Sequence, residues 1–293
     1  MTELVEHLVW GLLPAVPVPF RGNELDAAAQ RGYAAWMAAQ PIAGVAVWAH
    51  TGRGPHLSAE QRRVVLETWR EALPDRVLVA GARDVTMAIE ARRGAADALL
   101  AFPQRDDPVT YHRRLGRELP VIAFYLYQAA GGVAYDDRTL HSILELPEVI
   151  GIKVATLDSV MTFQRLAALM KAHPEKLLIT GEDRFLGYSL LLGARAALIG
   201  MGAALPDLQS ELIRARAAED WSRFVGLSEL CDRFAQATFV EPMEGYIRRM
   251  LWAAAAEGAI PASACDDPWG PPVPEAERLA VEQVVRDARA SRA

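Results

Sequence analysis

The sequence is short of cysteine and carries no excess of positive charge. Cys231 and Cys265 stand in no CxxC or Cys/His spacing, which argues against a disulfide framework or a zinc module and for two idle thiols. With 31 Lys+Arg against 37 Asp+Glu the formal net charge is −6. No sequence-wide attraction to phosphate backbones or anionic lipid follows, so neither a nucleic-acid nor a membrane partner is expected. Met1 to His7 carries Glu3 and Glu6 and lacks the basic segment of a secretory signal. The most apolar run, Leu190 to Leu205, is broken by Arg195 and by glycines. It falls short of the roughly 18 uninterrupted apolar residues of a membrane span, and a cytoplasmic protein is expected. No Gly-rich dinucleotide fingerprint follows the first apolar run. No His/carboxylate cluster has metal-ligand spacing, so no metal is expected.

What is present is alternation. Eight short β-rich runs recur: Leu13–Val18, Gly44–Trp48, Val77–Ala80, Ala98–Phe102, Val121–Leu126, Val149–Val154, Lys176–Ile179 and Ala196–Ile199. Between most of them the apolar residues fall at helical spacing. Ser58-Ala-Glu-Gln61 reads as a capping box with Leu57 as a staple, and Asp136, Asp158 and Asp207 read as N-caps. Eight strand–helix units predict an α/β fold, a closed (β/α)8 TIM barrel over residues 1–206. After Pro206 the strands stop. Leu212–Phe234 and Met243–Ala256 read as helices, and a proline-rich crossing from Asp266 to Pro274 precedes a last helix, Glu275–Ala288. Residues 207–293 are therefore expected to be a helical extension packed on the barrel within one structural unit.

In such a barrel the active site lies at the C-terminal ends of the strands. Lys153 ends the run Val149-Ile-Gly-Ile-Lys-Val-Ala155. A strand-end lysine commonly snorkels to water. Held instead in an apolar mouth, it loses its proton readily and becomes an amine able to attack a carbonyl. One strand earlier, Tyr125 and Tyr127 are each candidates to move protons near it, and alternation puts both on one face without choosing between them. The loop after the second run, Ala49-His-Thr-Gly-Arg-Gly54, offers backbone N–H groups at Gly52 and Gly54, the Thr51 hydroxyl and the His50 imidazole. Arg21, Arg53, Arg83 and Arg105 fall on expected mouth loops and jointly suggest a second anionic group on the ligand.

Together these elements resemble the dihydrodipicolinate synthase / N-acetylneuraminate lyase family of class I, Schiff-base aldolases, over most of the chain. Gly151-Ile-Lys-Val-Ala155 is similar to the family's Gly-Ile-Lys-Glu-Ala, which implies that Lys153 forms the Schiff base. Tyr125 falls on the tyrosine of Tyr-Asn-x-Pro-x-x-x-Gly, with Gly132 on its glycine. His50-Thr51-Gly52 falls on the keto-acid carboxylate loop Gly-Thr-Thr-Gly-Glu. Gly81 and Gly181-Glu-Asp183 also fit. The departures are informative. His50 replaces the proton-relaying threonine, Arg53 the glutamate, and Ala130 an arginine that grips the aldehyde in the synthases. Ala101–Arg105 lacks their tyrosine pair, and Thr86–Asp97 is shorter than the family's third helix. True dihydrodipicolinate synthase activity is therefore not expected.

The resemblance implies a lyase or aldolase acting on a 2-oxo acid, of pyruvate or sugar-acid type, with no cofactor. Its residues would be Lys153 as nucleophile, Tyr125 as proton shuttle, His50 as displaced acid/base, and Thr51, Gly52, Arg53 and Arg83 on the substrate. Dehydration of a 2-oxo-3-deoxy sugar acid uses the same iminium, and a non-catalytic keto-acid-binding barrel is the alternative of a different class. A homodimer or homotetramer is implied by the resemblance alone.

Overall fold

The computed structural model describes residues 2–157 and 159–292. Among them, eight parallel strands form one sheet: β1 (Leu12–Pro14), β2 (Gly44–Val47), β3 (Val77–Ala82), β4 (Ala98–Ala101), β5 (Val121–Leu126), β6 (Val149–Ala155), β7 (Leu177–Thr180) and β8 (Ala196–Ile199). Each pairs with its sequence neighbour, β8 returns to β1, and a parallel bridge Ala15↔Ala46 closes β1 on β2. The molecule is a (β/α)8 barrel with C-terminal helices. All eight apolar runs read from the sequence became strands because residues buried on both faces need no polar alternation.

Two apolar layers follow from that pleat. Leu13, Val79, Leu100, Ile122, Phe124, Ile179 and Leu198 fill the barrel interior, and the N-terminal helix Thr2–Leu8 closes its lower end with Leu8. The alternate residues, such as Val45, Leu78, Leu99, Tyr125 and Val154, face the surrounding helices. The capping box at Ser58 and Gln61 forms as expected, and Asp136 caps its helix through Thr139 N at 2.7 Å. The Asp158 cap lies outside the described residues. Asp207 is not a cap: Leu205 starts that helix, and Asp207 accepts from Arg289 and Arg292 instead.

The helix read over Leu212–Phe234 is two helices, Pro206–Ala217 and Trp221–Thr238, with Glu219 left-handed at the turn and Asp220 capping the second. Pro206–Ala217 packs on β1 and so serves as the eighth barrel helix. The helices beyond Trp221 are the extension. The short crossover before β4 is a helix of 9 residues, Val85–Arg93, and the β3–β4 pairing beside it is regular. No helix is long and apolar enough to cross a membrane among the described residues.

Candidate active site

Lys153 stands near the C-terminal end of β6, beside Phe124 of β5 and Ile179 of β7. All three belong to the inward row, so the lysine enters the barrel mouth rather than the helical layer. It is 5% exposed. The chain makes room for it at Gly181, where a Cβ would sit 2.6 Å from Lys153 Cε and 3.0 Å from Val154 O. Lys153 lines a cavity with His50, Thr51, Phe124, Tyr127, Asp183 and Tyr246. Burial pushes the Lys153 amine down to about 8, against the pull of the Asp183 and Glu182 charges. Burial likewise raises Asp183 to about 7, although its carboxylate accepts from Met201 N at 2.6 Å. Glu182, fully buried, accepts from Thr156 N at 2.6 Å and Leu157 N at 3.0 Å and fastens the end of β6.

Of the two tyrosines, the structure brings Tyr127 to the lysine. Tyr125 continues the outward row of β5 and packs in the helical layer, its hydroxyl 3.5 Å from Arg165 Nη2. It does not line the lysine cavity. The strand ends at Leu126, and the turn Gln128–Ala130 swings Tyr127 against the interior group. Strand alternation therefore fails at the one position that matters.

The loop after β2 is tightly folded. Trp48 and Arg53 both have left-handed backbones, at φ 55° and 51°, and the Trp48 carbonyl would lie 1.9 Å from a Cβ at Gly54. Such strain concentrates at functional sites. Thr51 Oγ1 lies 2.9 Å from the hydroxyl of Tyr246, which is stacked on Phe239. Gly52 is buried beneath the loop against Val16 O, away from the cavity wall. His50 Nε2 is 3.0 Å from both oxygens of Glu244.

Glu244 is the residue that sequence reading missed. It rises from the Met243–Gly245 turn of the extension and also accepts from Tyr127 Oη at 2.7 Å and Arg53 Nη1 at 3.1 Å. Burial alone would raise its pKa. The bonds from His50 and Tyr127 and the Arg53 charge overcome that and hold it at about 2. Arg53 in turn makes a two-pronged pair with Asp267, at 3.1 and 2.7 Å.

The four arginines expected at the mouth do not converge on one anion. Arg53 is consumed by Asp267 and Glu244, Arg21 pairs with Asp26 at 2.6 Å, and Arg83 and Arg105 are exposed and line no part of the lysine cavity. Arg21 met a local acid and Arg83 and Arg105 met solvent, as isolated surface charges usually do. Among the described residues, no group of three or more His, Cys, Asp or Glu side chains is arranged to hold a metal ion. Both cysteines are buried and unpaired, their thiols pushed up to about 12 by desolvation.

No family profile matches the chain. It is 27% identical over 247 residues to a 4-hydroxy-tetrahydrodipicolinate synthase of Ruegeria pomeroyi, covering 79% of this chain and 84% of that one. The N-acetylneuraminate lyase of Mycoplasma synoviae superposes over 97% of this chain and 99% of its own, with TM-score 0.78 and 21% identity. In sequence and in fold the chain is similar to the dihydrodipicolinate synthase / N-acetylneuraminate lyase family. A further member, a prophage protein of Escherichia coli K12 solved in complex with pyruvate, shares the fold at TM-score 0.85 and 18% identity, over 95% of this chain and 98% of that one. The shared fold puts Gly151-Ile-Lys153 on β6 of the barrel. It does not account for Glu244, Arg53 and Asp267, which here form a network joining the β2 loop to the extension.

Proposed function

We propose that the protein is a Schiff-base-forming lyase or aldolase acting on a 2-oxo acid. The observation that carries this reading is Lys153 itself, an amine inside an apolar barrel mouth with its proton affinity pushed down to about 8. At pH 7 about a tenth of such lysines is uncharged and nucleophilic, where an ordinary lysine is almost wholly protonated. Asp183 lines the same cavity, its carboxyl raised by burial toward the lowered amine.

The chemistry then follows from position. Lys153 Nζ adds to the ketone carbon, and a proton delivered to the carbinolamine oxygen lets water leave. The iminium withdraws electrons, so the adjacent carbon can lose a proton, a hydroxyl or a carbon fragment at its neighbour. We assign the proton transfers to Tyr127 in place of Tyr125, because Tyr127 lines the lysine cavity and Tyr125 does not. His50 is retained as the accessory acid/base, linked to Tyr127 through Glu244. Thr51 is retained as a polar wall of the cavity. Arg83 leaves the substrate-binding set, and Arg53 is paired with Asp267 and Glu244 in the resting structure. The Ala130 position, without an arginine, supports a substrate other than that of the lysine-pathway synthase.

Borohydride reduction with pyruvate and a panel of 2-oxo acids, followed by peptide mass mapping, tests the reading. An adduct on Lys153 is expected, and product analysis then separates cleavage, which releases a short acid, from dehydration, which keeps the carbon count. No adduct with any acid is the result a non-catalytic keto-acid-binding barrel would give. Homo-oligomerisation belongs to the same proposal. It is supported by exposed Tyr188, Leu191 and Val225 around one surface groove and is tested by light scattering.

A further inference from the structure

The space beside Lys153 is small. Its volume is about 30 Å³, enough for one or two water molecules, whereas pyruvate brings three carbons and three oxygens. Outside it lies a wider crevice of about 970 Å³, lined by Gln128, Glu241, Glu244 and Trp269 among others. Leu126, Tyr127 and Leu157 border both spaces, His50 only the inner one and Glu244 only the outer. The Glu244 carboxylate, held by His50 and Tyr127, thus spans the boundary between them. A group on this rim has to move before a keto acid reaches the amine.

Glu244 is the group built to do so. Its side chain is 32% exposed, while Arg53 is locked to Asp267, whose side chain is 2% exposed. The backbone before Glu244 is fastened as well. Fully buried Arg249 donates to the carbonyls of Val240 at 2.7 Å, Pro242 at 3.2 Å and Glu241 at 3.3 Å. Rotation of one side chain therefore opens the rim with no shift of the main chain. When Glu244 turns out, the His50, Tyr127 and Arg53 donors stay in place, still arranged around a carboxylate.

We propose that this three-donor cradle is a carboxylate-binding site of the working protein, that Glu244 is its resting occupant, and that an entering acid exchanges its own carboxylate for that of Glu244. The proposal rests on the keto-acid reading of the site and adds how that site selects its ligand. An acid replaces one anion by another and leaves every donor satisfied. A neutral carbonyl compound that displaces Glu244 leaves the half-buried His50 and Tyr127 donors and one Arg53 nitrogen without their anion, which is a ground for rejection. The resting carboxylate also lowers the apparent affinity of every acid by the fraction of molecules whose cradle is open.

Acetate, which has no ketone and forms no Schiff base, is the probe. Its dissociation constant is measured by titration calorimetry for the wild type, Glu244→Ala and Glu244→Gln, with melting curves as the check on folding. Acetate is expected to bind Glu244→Ala about tenfold more tightly than wild type, with Glu244→Gln between them, and to compete with pyruvate. Acetate binding that is unchanged or weaker in both variants overturns the proposal. Should Glu244→Ala not fold, Glu244→Gln decides by the same criterion. Borohydride trapping is scored separately. Tighter acetate binding without any trapped pyruvate would retire the Schiff base and leave the exchange standing.

Discussion

Lys153 Nζ lies 4.4 Å from the centroid of the Phe124 ring, its partner across the β5–β6 ladder. The ring face favours the ammonium by about 0.5–2 kcal/mol and so opposes, without reversing, the effect of burial. The amine's titration near 8 sets the first prediction. Imine formation with pyruvate should rise about tenfold per pH unit below that point and level off above it. Replacing Phe124 by Leu removes the ring face and moves the inflection to lower pH. Single-turnover trapping across pH 6 to 10 checks both, and a flat profile would sink the desolvated-amine account.

The same burial costs stability. An unfolded lysine keeps its proton to about 10.5 and the folded one loses it at about 8. Between those values the unfolded chain binds more protons, so stability rises with pH across that window and the penalty is full below it. Lys153→Met should therefore melt above the wild type at pH 7, by about 2–4 °C for each kcal/mol relieved, with the gap narrowing toward pH 10. Calorimetry at the two pH values is the measurement.

Tyr127→Phe should slow trapping by about 100-fold or more, the usual consequence of losing a positioned proton donor. Tyr125→Phe should change it by less than about threefold, because that side chain does not line the lysine cavity and its hydroxyl lies 3.5 Å from Arg165. The opposite order would restore the assignment implied by family resemblance.

Gly181→Ala places a methyl 2.6 Å from Lys153 Cε and 2.9 Å from Ala155 Cβ. The lysine has to leave its rotamer, and trapping should fall by about tenfold or more while the barrel still folds. Circular dichroism alongside the trapping rate separates misplacement from unfolding.

Arg53→Met leaves Asp267 buried beside no cation and should destabilise the fold by about 3–5 kcal/mol. Arg53→Lys is not a rescue, since the ammonium cannot reproduce the two-pronged contact. Arg83→Ala should leave KM for diacid and monoacid substrates alike. Urea unfolding and paired KM values test these, and a selective rise in KM for diacids at Arg83 would reinstate a second anion site there.

Much of the fold was legible in the sequence because each strand is a short apolar run flanked by helical spacing, and two of the caps were written as Ser58–Gln61 and Asp136. Lys153 was legible because a charged residue inside such a run is an anomaly. What escaped depends on long-range geometry. The choice between Tyr125 and Tyr127 turns on where β5 stops and the chain bends. Arg53 found Asp267, more than 200 residues away, and Glu244 and Tyr246 come from the C-terminal extension, which sequence periodicity describes only as packing. A hint was present in Glu241-Pro-Met-Glu-Gly245, a polar break between two apolar helices at the level of the barrel mouth.

Arg249, which ties down the carbonyls ahead of Glu244, is itself held by Glu277 on the final helix at 2.7 Å. The threshold of the lysine cavity is thus suspended from the tail of the chain. A chimera that grafts this barrel onto a relative's last helices would inherit the nucleophile and lose its doorkeeper, so exchanging tails is a direct way to retune which acids are admitted.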